Sequence, residues 1–272
     1  MLSRTLDIGT HTVAWEVLGA GPPLVLCHGT PWSSWLWQPY AELLSRWFTV
    51  HLWDMPGYGQ SSKGSDEPID LGEQGEVFAA LLEHWGLTRP HVVAHDYGGA
   101  VSLRAHLLHD RAYASLALVD VVALSPWGSD FFRLVSDHAD TFAAQPAAVH
   151  EGALKAYIAG ASHHGLSEAD LQALVAPWLG EGQAAFYRQI AAADEQYTTD
   201  FADRLSMINC PTTVIWGSED AWIPVAQAQR LAEAIGHAEL ELVPHAGHLI
   251  QLDAPVALSG LLTAWLLRHR RE

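Results

Sequence analysis

The sequence has few positive charges and no long apolar run. Lys and Arg total 14 against 31 Asp and Glu, which gives a formal net charge of -17 at pH 7. A negative field of this size repels phosphate backbones and anionic lipid surfaces, so we expect neither nucleic acid nor a membrane as a partner. No uninterrupted apolar stretch reaches the roughly 18 residues that predict a membrane-spanning helix.

Cysteine is nearly absent as well. Cys27 and Cys210 lie far apart in the sequence and neither belongs to a CxxC pair, so the chain offers no disulfide framework and no thiolate zinc site. Residues 1–10 contain one Arg and lack the apolar block of a secretory signal. These features together predict a cytoplasmic protein.

The apolar content is high enough for a large core. Of 272 residues, 49% are hydrophobic, 10% are aromatic and only 17% are charged, so the acidity does not indicate disorder. The length exceeds that of a minimal domain, and we expect one globular domain with an insertion.

Short apolar runs bounded by Gly, Pro and Asp alternate with helical patterns, which is typical of a mostly parallel sheet with crossover helices. An N-terminal hairpin is predicted at 4–7 and 12–18, further strands at 24–28, 48–53, 91–94, 115–121, 212–216 and 238–243, and helices at 71–85, 98–108, 225–235 and 255–267. The stretch 123–209 has no strand-like run. We therefore predict a core of residues 1–122 and 210–272 with a helical cap at 123–209.

One segment has the pattern of a nucleophile elbow. Residues 91–100 pass from an apolar strand through small residues into a helix, and Ala94 and Gly98 flank Asp96 at the turn. A sharp strand-to-helix turn of this kind exposes its central side chain, which here is Asp rather than Ser. In this respect the sequence resembles the α/β-hydrolase fold, and within it the epoxide hydrolases and haloalkane dehalogenases, whose nucleophile is an aspartate.

Four further motifs match that family and occur along the chain in the family's order. They are Cys-His-Gly-Thr-Pro at 27–31, Asp-Met-Pro-Gly-Tyr-Gly-Gln-Ser at 54–61, Trp-Gly-Ser-Glu-Asp at 216–220 and His-Ala-Gly-His at 245–248. The resemblance implies an eight-stranded, mostly parallel sheet flanked by helices, with an inserted helical cap. It also implies a triad of Asp96, Asp220 and His248, with Asp120 as the alternative acid because some relatives place it after the preceding strand.

An aspartate nucleophile suits attack on a saturated carbon. Aspartate is an anion at neutral pH and needs no base, and its attack on an electrophilic sp³ carbon gives an ordinary ester. His248 would then activate water, with Asp220 orienting the imidazole. The backbone N–H groups of Thr30 and Tyr97 are expected to form the oxyanion hole.

The leaving group decides between the two substrate classes. An epoxide oxygen must be protonated as it leaves, and the resemblance to epoxide hydrolases implies Tyr187, with Tyr157 as a less specific candidate, as the proton donors. Haloalkane dehalogenases place a Trp after the nucleophile and an Asn in the His-Gly loop, where this chain has Tyr97 and Thr30. An apolar epoxide is therefore the favoured substrate and a haloalkane the alternative. A haloacid would lack its arginine clamp, since Tyr97 and Ala100 stand at those positions.

The remaining expectations concern the pocket and its partners. The pocket is expected to include His28, Trp32, Trp35, Trp127 and Trp178. No HExxH, GxGxxG or P-loop motif is present in the sequence, so no metal and no cofactor are implied. The partners are then a small apolar substrate and water, and the protein is a monomer or a homodimer. A catalytically idle ligand receptor on the same scaffold stays open as a different class of function.

Overall fold

An eight-stranded sheet forms the centre of the computed structural model, which describes residues 2–270. The strands are β1 (Arg4–Ile8), β2 (His11–Leu18), β3 (Pro23–Cys27), β4 (Thr49–Trp53), β5 (His91–His95), β6 (Ser115–Val119), β7 (Thr212–Gly217) and β8 (Glu239–Val243). Their order across the sheet is β1-β2-β4-β3-β5-β6-β7-β8. Only the β1–β2 and β2–β4 pairs are antiparallel. The predicted N-terminal hairpin and mostly parallel sheet are confirmed.

Helices account for most of the remaining chain. They are α1 (Gln38–Leu44), α2 (Leu71–His84), α3 (Tyr97–Leu107), α4 (Asp130–Asp137), α5 (Ala139–Ala143), α6 (Ala147–Ala159), α7 (Glu168–Val175), α8 (Gly182–Ala191), α9 (Gln196–Ala202), α10 (Ala226–Ile235), α11 (Ile250–Asp253) and α12 (Pro255–His269). Local sequence sets several boundaries. Asp70, for example, caps α2 by accepting hydrogen bonds from the N–H groups of Gly72 and Glu73. No helix within residues 2–270 combines the length and the apolar character needed to cross a bilayer.

Helices cover the central strands on both faces. Every residue of β5 is buried, and its side chains alternate between two apolar clusters. Val92 and Ala94 belong to the cluster that includes α2, α3 and α10, whereas Val93 belongs to the cluster that includes α1 and α12. This two-sided burial explains why the strands read as continuous apolar runs in the sequence.

The segment between β6 and β7 contains the helices α4 to α9 and, within the described residues, no strand. Part of it lies directly over the loop that follows β3. Trp178 donates its indole N–H to the carbonyl oxygen of Pro31 at 2.8 Å, and the side-chain oxygen of Gln189 in α8 accepts the hydroxyl of Thr30 at 2.6 Å. The division into a core and a cap of residues 123–209 stays a prediction.

Helix α3 lies unusually close to its neighbours at its first turn. A Cβ atom at Gly98 would fall 2.6 Å from the carbonyl oxygen of His28, and one at Gly99 would fall 2.3 Å from Cβ of Val121. Side chains cannot occupy these positions without displacing backbone. The two glycines therefore allow the helix to start where the sheet ends.

We expect Gly99→Ala to destabilise the protein. The new methyl group must displace Val121, and overpacking of this kind costs about 1–3 kcal/mol. Gly152→Ala is the matched control, because Gly152 lies in α6 with no atom near the added Cβ and the same change there should stabilise by about 0.5–1 kcal/mol. Urea unfolding measures both values. Equal effects of the two substitutions would contradict the close contact of α3.

Candidate active site

Asp96 occupies the turn between β5 and α3. Its backbone has φ +51° and ψ -120°, a conformation that is costly for an L-residue and is found at functional sites. The carbonyl oxygen of Asp96 accepts hydrogen bonds from the N–H groups of Gly99 at 2.9 Å and Val122 at 3.1 Å. The turn is thus held from both sides, and the strand-turn-helix context predicted for Asp96 is present.

The two carboxylate oxygens of Asp96 have different surroundings. Oδ1 accepts a hydrogen bond from the backbone N–H of Thr30 at 2.6 Å, whereas Oδ2 lies 3.4 Å from Nε2 of His248. A Cβ atom at Gly29 would lie 2.3 Å from Cβ of Asp96, so only glycine lets the loop after β3 approach this closely. The loop fixes Oδ1, and Oδ2 faces the histidine.

His248 is fully buried and is oriented by Asp220. Its Nδ1 lies 2.9 Å from Oδ2 of Asp220, whose other oxygen accepts the N–H groups of Trp222 at 2.8 Å and Ile223 at 2.9 Å. Burial by itself lowers the pKa of His248, but the carboxylates of Asp220 and Asp96 outweigh it and hold this pKa well above its ordinary value. The unliganded site therefore favours a protonated imidazole between two carboxylates.

Asp120, the alternative acid, takes a different position. Its Oδ1 accepts the N–H of Gly217 at 2.8 Å, and its Oδ2 has no hydrogen-bond partner among the described residues. Complete burial, reinforced by the charge of Asp220, raises the pKa of Asp120 well above its ordinary value, which favours the neutral acid. Because Asp220 contacts the imidazole of His248 directly, the geometry assigns the orienting role to Asp220.

A small cavity opens beside Asp96. Its free volume is about 40 Å³, and since one water needs about 10–15 Å³ of such space, it has room for a few waters or a comparably small ligand. Its wall includes Thr30, Asp96 and Tyr97 from the sheet side, and the aromatic side chains of Trp127, Phe132, Tyr157 and Trp222. Of the residues predicted from the sequence, Tyr157 and Trp127 thus join Asp96, Thr30 and Tyr97 at one place.

Tyr187 does not reach this cavity, contrary to expectation. Its side chain is buried within the helical segment, and its hydroxyl lies 2.8 Å from Nδ1 of His150. The wall of the cavity does not include it. The tyrosine that this segment contributes to the site is therefore Tyr157.

His28, a predicted pocket residue, does not belong to the cavity wall. Its Nδ1 lies 2.8 Å from the carbonyl oxygen of Gly29, and its Nε2 accepts the N–H of Met55 at 2.9 Å. Complete burial lowers the pKa of His28, in agreement with a neutral ring whose two nitrogens are both used. His28 therefore ties the loop after β3 to the loop after β4.

Three predicted tryptophans also lie outside the cavity wall. Trp178 is buried against the loop after β3, Trp35 lines a groove on the outer surface, and Trp32 stacks on Trp222 with ring centroids 5.5 Å apart. Trp32 thus supports the wall from behind. Contact of these three side chains with a substrate stays a prediction.

Two important residues were missed by the sequence analysis. Trp222 stacks on both the His248 ring, at 5.1 Å, and the Tyr157 ring, at 4.5 Å; its place two residues after Asp220 was the available signal. His95 donates Nε2–H to the carbonyl oxygen of His248, and burial lowers the pKa of His95 to about 3, so it packs as a neutral ring. Both residues position His248.

No group of three or more His, Cys, Asp and Glu side chains within residues 2–270 is arranged to hold a metal ion. The candidate site thus consists of the carboxylates, the imidazole, the backbone N–H groups and the phenols described above.

Comparison with known proteins gives one matching family and several similar proteins. A family profile described as the alpha/beta hydrolase fold matches residues 22–255. The crystal structure of an alpha/beta hydrolase fold protein from Burkholderia ambifaria superposes with a TM-score of 0.94 at 45% identity, covering 97% of this chain and 98% of that one. Among curated proteins, the dihydrolipoyllysine-residue acetyltransferase component of the acetoin cleaving system of Pseudomonas putida is 29% identical over 97% of this chain and 69% of its own length. A fluoroacetate dehalogenase of Burkholderia sp is 29% identical over 79% of this chain and 77% of its own.

We expect Asp220→Asn to lower the pKa of His248, because the substitution removes a neighbouring anion and leaves the burial that opposes protonation. Asp120→Asn is the control and should change this pKa little, since it replaces a carboxyl group whose raised pKa favours the neutral form. The ring nitrogens of His248 can be followed through a pH titration by NMR. A larger fall in the Asp120 variant would transfer the triad role to that residue.

Proposed function

The chain belongs to the alpha/beta hydrolase fold family and is a hydrolase of that fold, and from its site we propose that it opens a small apolar epoxide through a covalent ester on Asp96. The observation that carries the proposal is the position of Asp96. Asp96 lines the aromatic cavity, its Oδ2 lies 3.4 Å from Nε2 of His248, and its Oδ1 accepts the N–H of Thr30. A carboxylate in this place can attack a saturated carbon without a base.

Hydrolysis of the ester follows from the same contacts. Formation of the ester removes the negative charge of Asp96, which is one of the two charges that raise the pKa of His248. The pKa of His248 then falls, so the imidazolium can pass its proton to the group that protonated the leaving oxygen. The neutral imidazole can then take a proton from water. Asp220 remains beside Nδ1 and stabilises the imidazolium that forms. The ester thereby generates the base that hydrolyses it.

Two backbone N–H groups are suited to stabilise the tetrahedral intermediate. The N–H of Thr30 already donates to Oδ1, the oxygen that carries the developing charge when water attacks the carboxyl carbon. The N–H of Tyr97 begins α3, and the first N–H groups of a helix have no partner within the helix. We assign these two groups as the oxyanion hole.

The choice of an epoxide depends on the groups that face the leaving atom. An alkoxide is too basic to leave without a proton, and Tyr157 supplies a phenol in the cavity wall. The main alternative is halide release, which is favoured by the similarity to a fluoroacetate dehalogenase. The indole N–H of Trp127, however, already donates to the hydroxyl oxygen of Thr198 at 2.9 Å. This N–H is therefore not free to bind a halide.

A ligand receptor without activity is the alternative from another class. A receptor would not need His248 to lie between the carboxylates of Asp220 and Asp96. The contacts of His248 with both carboxylates therefore favour an enzyme. A small apolar substrate and water are the proposed partners. Location in the cytoplasm and the choice between monomer and homodimer stay predictions.

We expect His248→Gln to accumulate the ester on Asp96, because attack by Asp96 needs no base whereas water attack loses a contribution of about 10²–10⁴-fold. Mass spectrometry of the intact protein should show an increase equal to the mass of the epoxide, located to Asp96 after digestion. The double variant His248→Gln/Asp96→Asn is the control and should show no increase. An adduct that forms in both would contradict the covalent mechanism.

A substrate panel decides the leaving group. We expect the wild-type protein to convert small alkyl epoxides to diols faster than it releases halide from bromoalkanes and chloroalkanes of the same carbon skeleton, because the cavity offers phenols to a leaving oxygen. Diol is scored by chromatography and halide by ion electrode. Faster halide release across matched pairs would favour a dehalogenase, and binding without turnover would favour a receptor.

A further inference from the structure

We propose that the side chain of Tyr97, in addition to its backbone N–H, is a catalytic residue that shares with Tyr157 the donation of a proton to the leaving oxygen. The inference rests on the proposed function and deepens it. It replaces Tyr187, which lies outside the cavity, with a residue next to the nucleophile as the second donor.

The first observation is an unpaired hydroxyl. Tyr97 is 4% exposed and lines the cavity, and its hydroxyl has no hydrogen-bond partner among the described residues. A buried polar group without a partner is destabilising and uncommon in folded proteins. Among the described residues of the cavity wall, Tyr97 alone has a fully buried side-chain polar atom without a hydrogen-bond partner. Such a hydroxyl is suited to an acceptor that arrives with the substrate.

The second observation is that three neighbouring donors are already used. The hydroxyls of Thr30 and Tyr58 both donate to the side-chain oxygen of Gln189, at 2.6 and 2.9 Å. The indole of Trp127 is bonded to Thr198, as described above.

Tyr157 also has a hydroxyl with no hydrogen-bond partner among the described residues, although its side chain is only partly buried. Its ring lies flat on Trp222, which fixes its orientation. The ring of Tyr97 packs edge-on against Trp127 and Phe132, with centroids 5.8 and 6.4 Å apart. Two phenols with unpaired hydroxyls and fixed rings therefore belong to the wall of one small cavity beside Asp96.

The protonation state agrees with this role. Burial raises the pKa of Tyr97 well above its ordinary value, and the proximity of Tyr58, Asp96 and Tyr157 raises it further. Burial and the charge of Asp96 likewise raise the pKa of Tyr157. Both phenols stay protonated at neutral pH, and a phenolate formed in the site is a strong base that recovers its proton.

The proton balance of the reaction closes with these groups. Oδ2 of Asp96 forms a bond to the epoxide carbon as the C–O bond of the ring breaks. The electron pair goes to the ring oxygen, which takes one proton from either phenol and leaves a phenolate. His248 gives its proton to the phenolate and then takes one from the water that adds to the ester. The diol oxygen leaves with the proton of the Asp96 carboxyl group that forms, so Asp96 returns to the carboxylate and His248 to the imidazolium. One epoxide and one water give one diol.

The test measures ester formation in the His248→Gln background, in which the reaction stops after attack. We expect Tyr97→Phe and Tyr157→Phe each to slow ester formation with an epoxide about 10- to 100-fold, and the double variant more, within the range of about 10²–10⁴-fold for general acid catalysis. Tyr113→Phe is the matched control, because the Tyr113 hydroxyl donates to the carbonyl oxygen of Ser102 in the core, away from the cavity. It should leave the rate unchanged.

A bromoalkane of the same skeleton separates proton donation from packing. Bromide leaves without a proton, so Tyr97→Phe should slow its displacement far less than epoxide opening. Equal slowing of both reactions, or a Tyr97→Phe rate equal to that of the Tyr113 control, would overturn the role of Tyr97 while the ester on Asp96 stands. If the protein with intact tyrosines forms no ester with any epoxide, the proposed function itself fails. The phenyl ring keeps the packing of Tyr97 and the lost hydroxyl has no partner, so we expect the variant to fold.

Discussion

The hydrogen bond from the Thr30 N–H to Oδ1 of Asp96 leaves the other oxygen of the proposed nucleophile free. It requires the loop after β3 to touch the turn after β5, and this contact is possible only because position 29 has no side chain. With Oδ1 fixed, Oδ2 is the oxygen that faces His248. The same N–H then lies next to the oxygen that bears charge when the ester is hydrolysed, so one contact serves the resting site and both proposed steps.

The helical segment between β6 and β7 is connected to this contact. Gln189 in α8 accepts hydroxyl hydrogen bonds from Thr30 and Tyr58, two residues of separate core loops. A movement of α8 would therefore release the side chain of the residue whose backbone holds Asp96. On the opposite wall, Tyr157 stacks on Trp222, which in turn stacks on His248. Both halves of the site are thus coupled to the same helical segment through side chains.

The sheet, the hairpin and the positions of Asp96, Asp220 and His248 could be predicted because each depends on local sequence: an apolar strand followed by a turn at one edge of a parallel sheet. The direction of side chains in the helical segment could not. Residues two apart on a helix point about 200° apart, so once Gln189 faces Thr30, Tyr187 must point elsewhere. Whether Gln189 or Tyr187 faces the core depends on how α8 packs, and the local sequence pattern does not predict this packing. The side-chain contacts of His28 could not be predicted for a related reason, since its hydrogen bonds join two loops that are distant in sequence.

The electrostatics of the site suit a reaction that changes one charge at a time. Three carboxyl groups surround His248, and burial raises the pKa of Asp120 so that this group favours its neutral form. Asp96 and Asp220 then share one imidazolium, and the three groups together carry one negative charge in the resting state. In the proposed mechanism, ester formation neutralises Asp96 and leaves the imidazolium with one carboxylate, which lowers its pKa at the moment a base is needed. Hydrolysis restores the Asp96 carboxylate and with it the raised pKa. The proposed nucleophile would thus also control when His248 acts as a base.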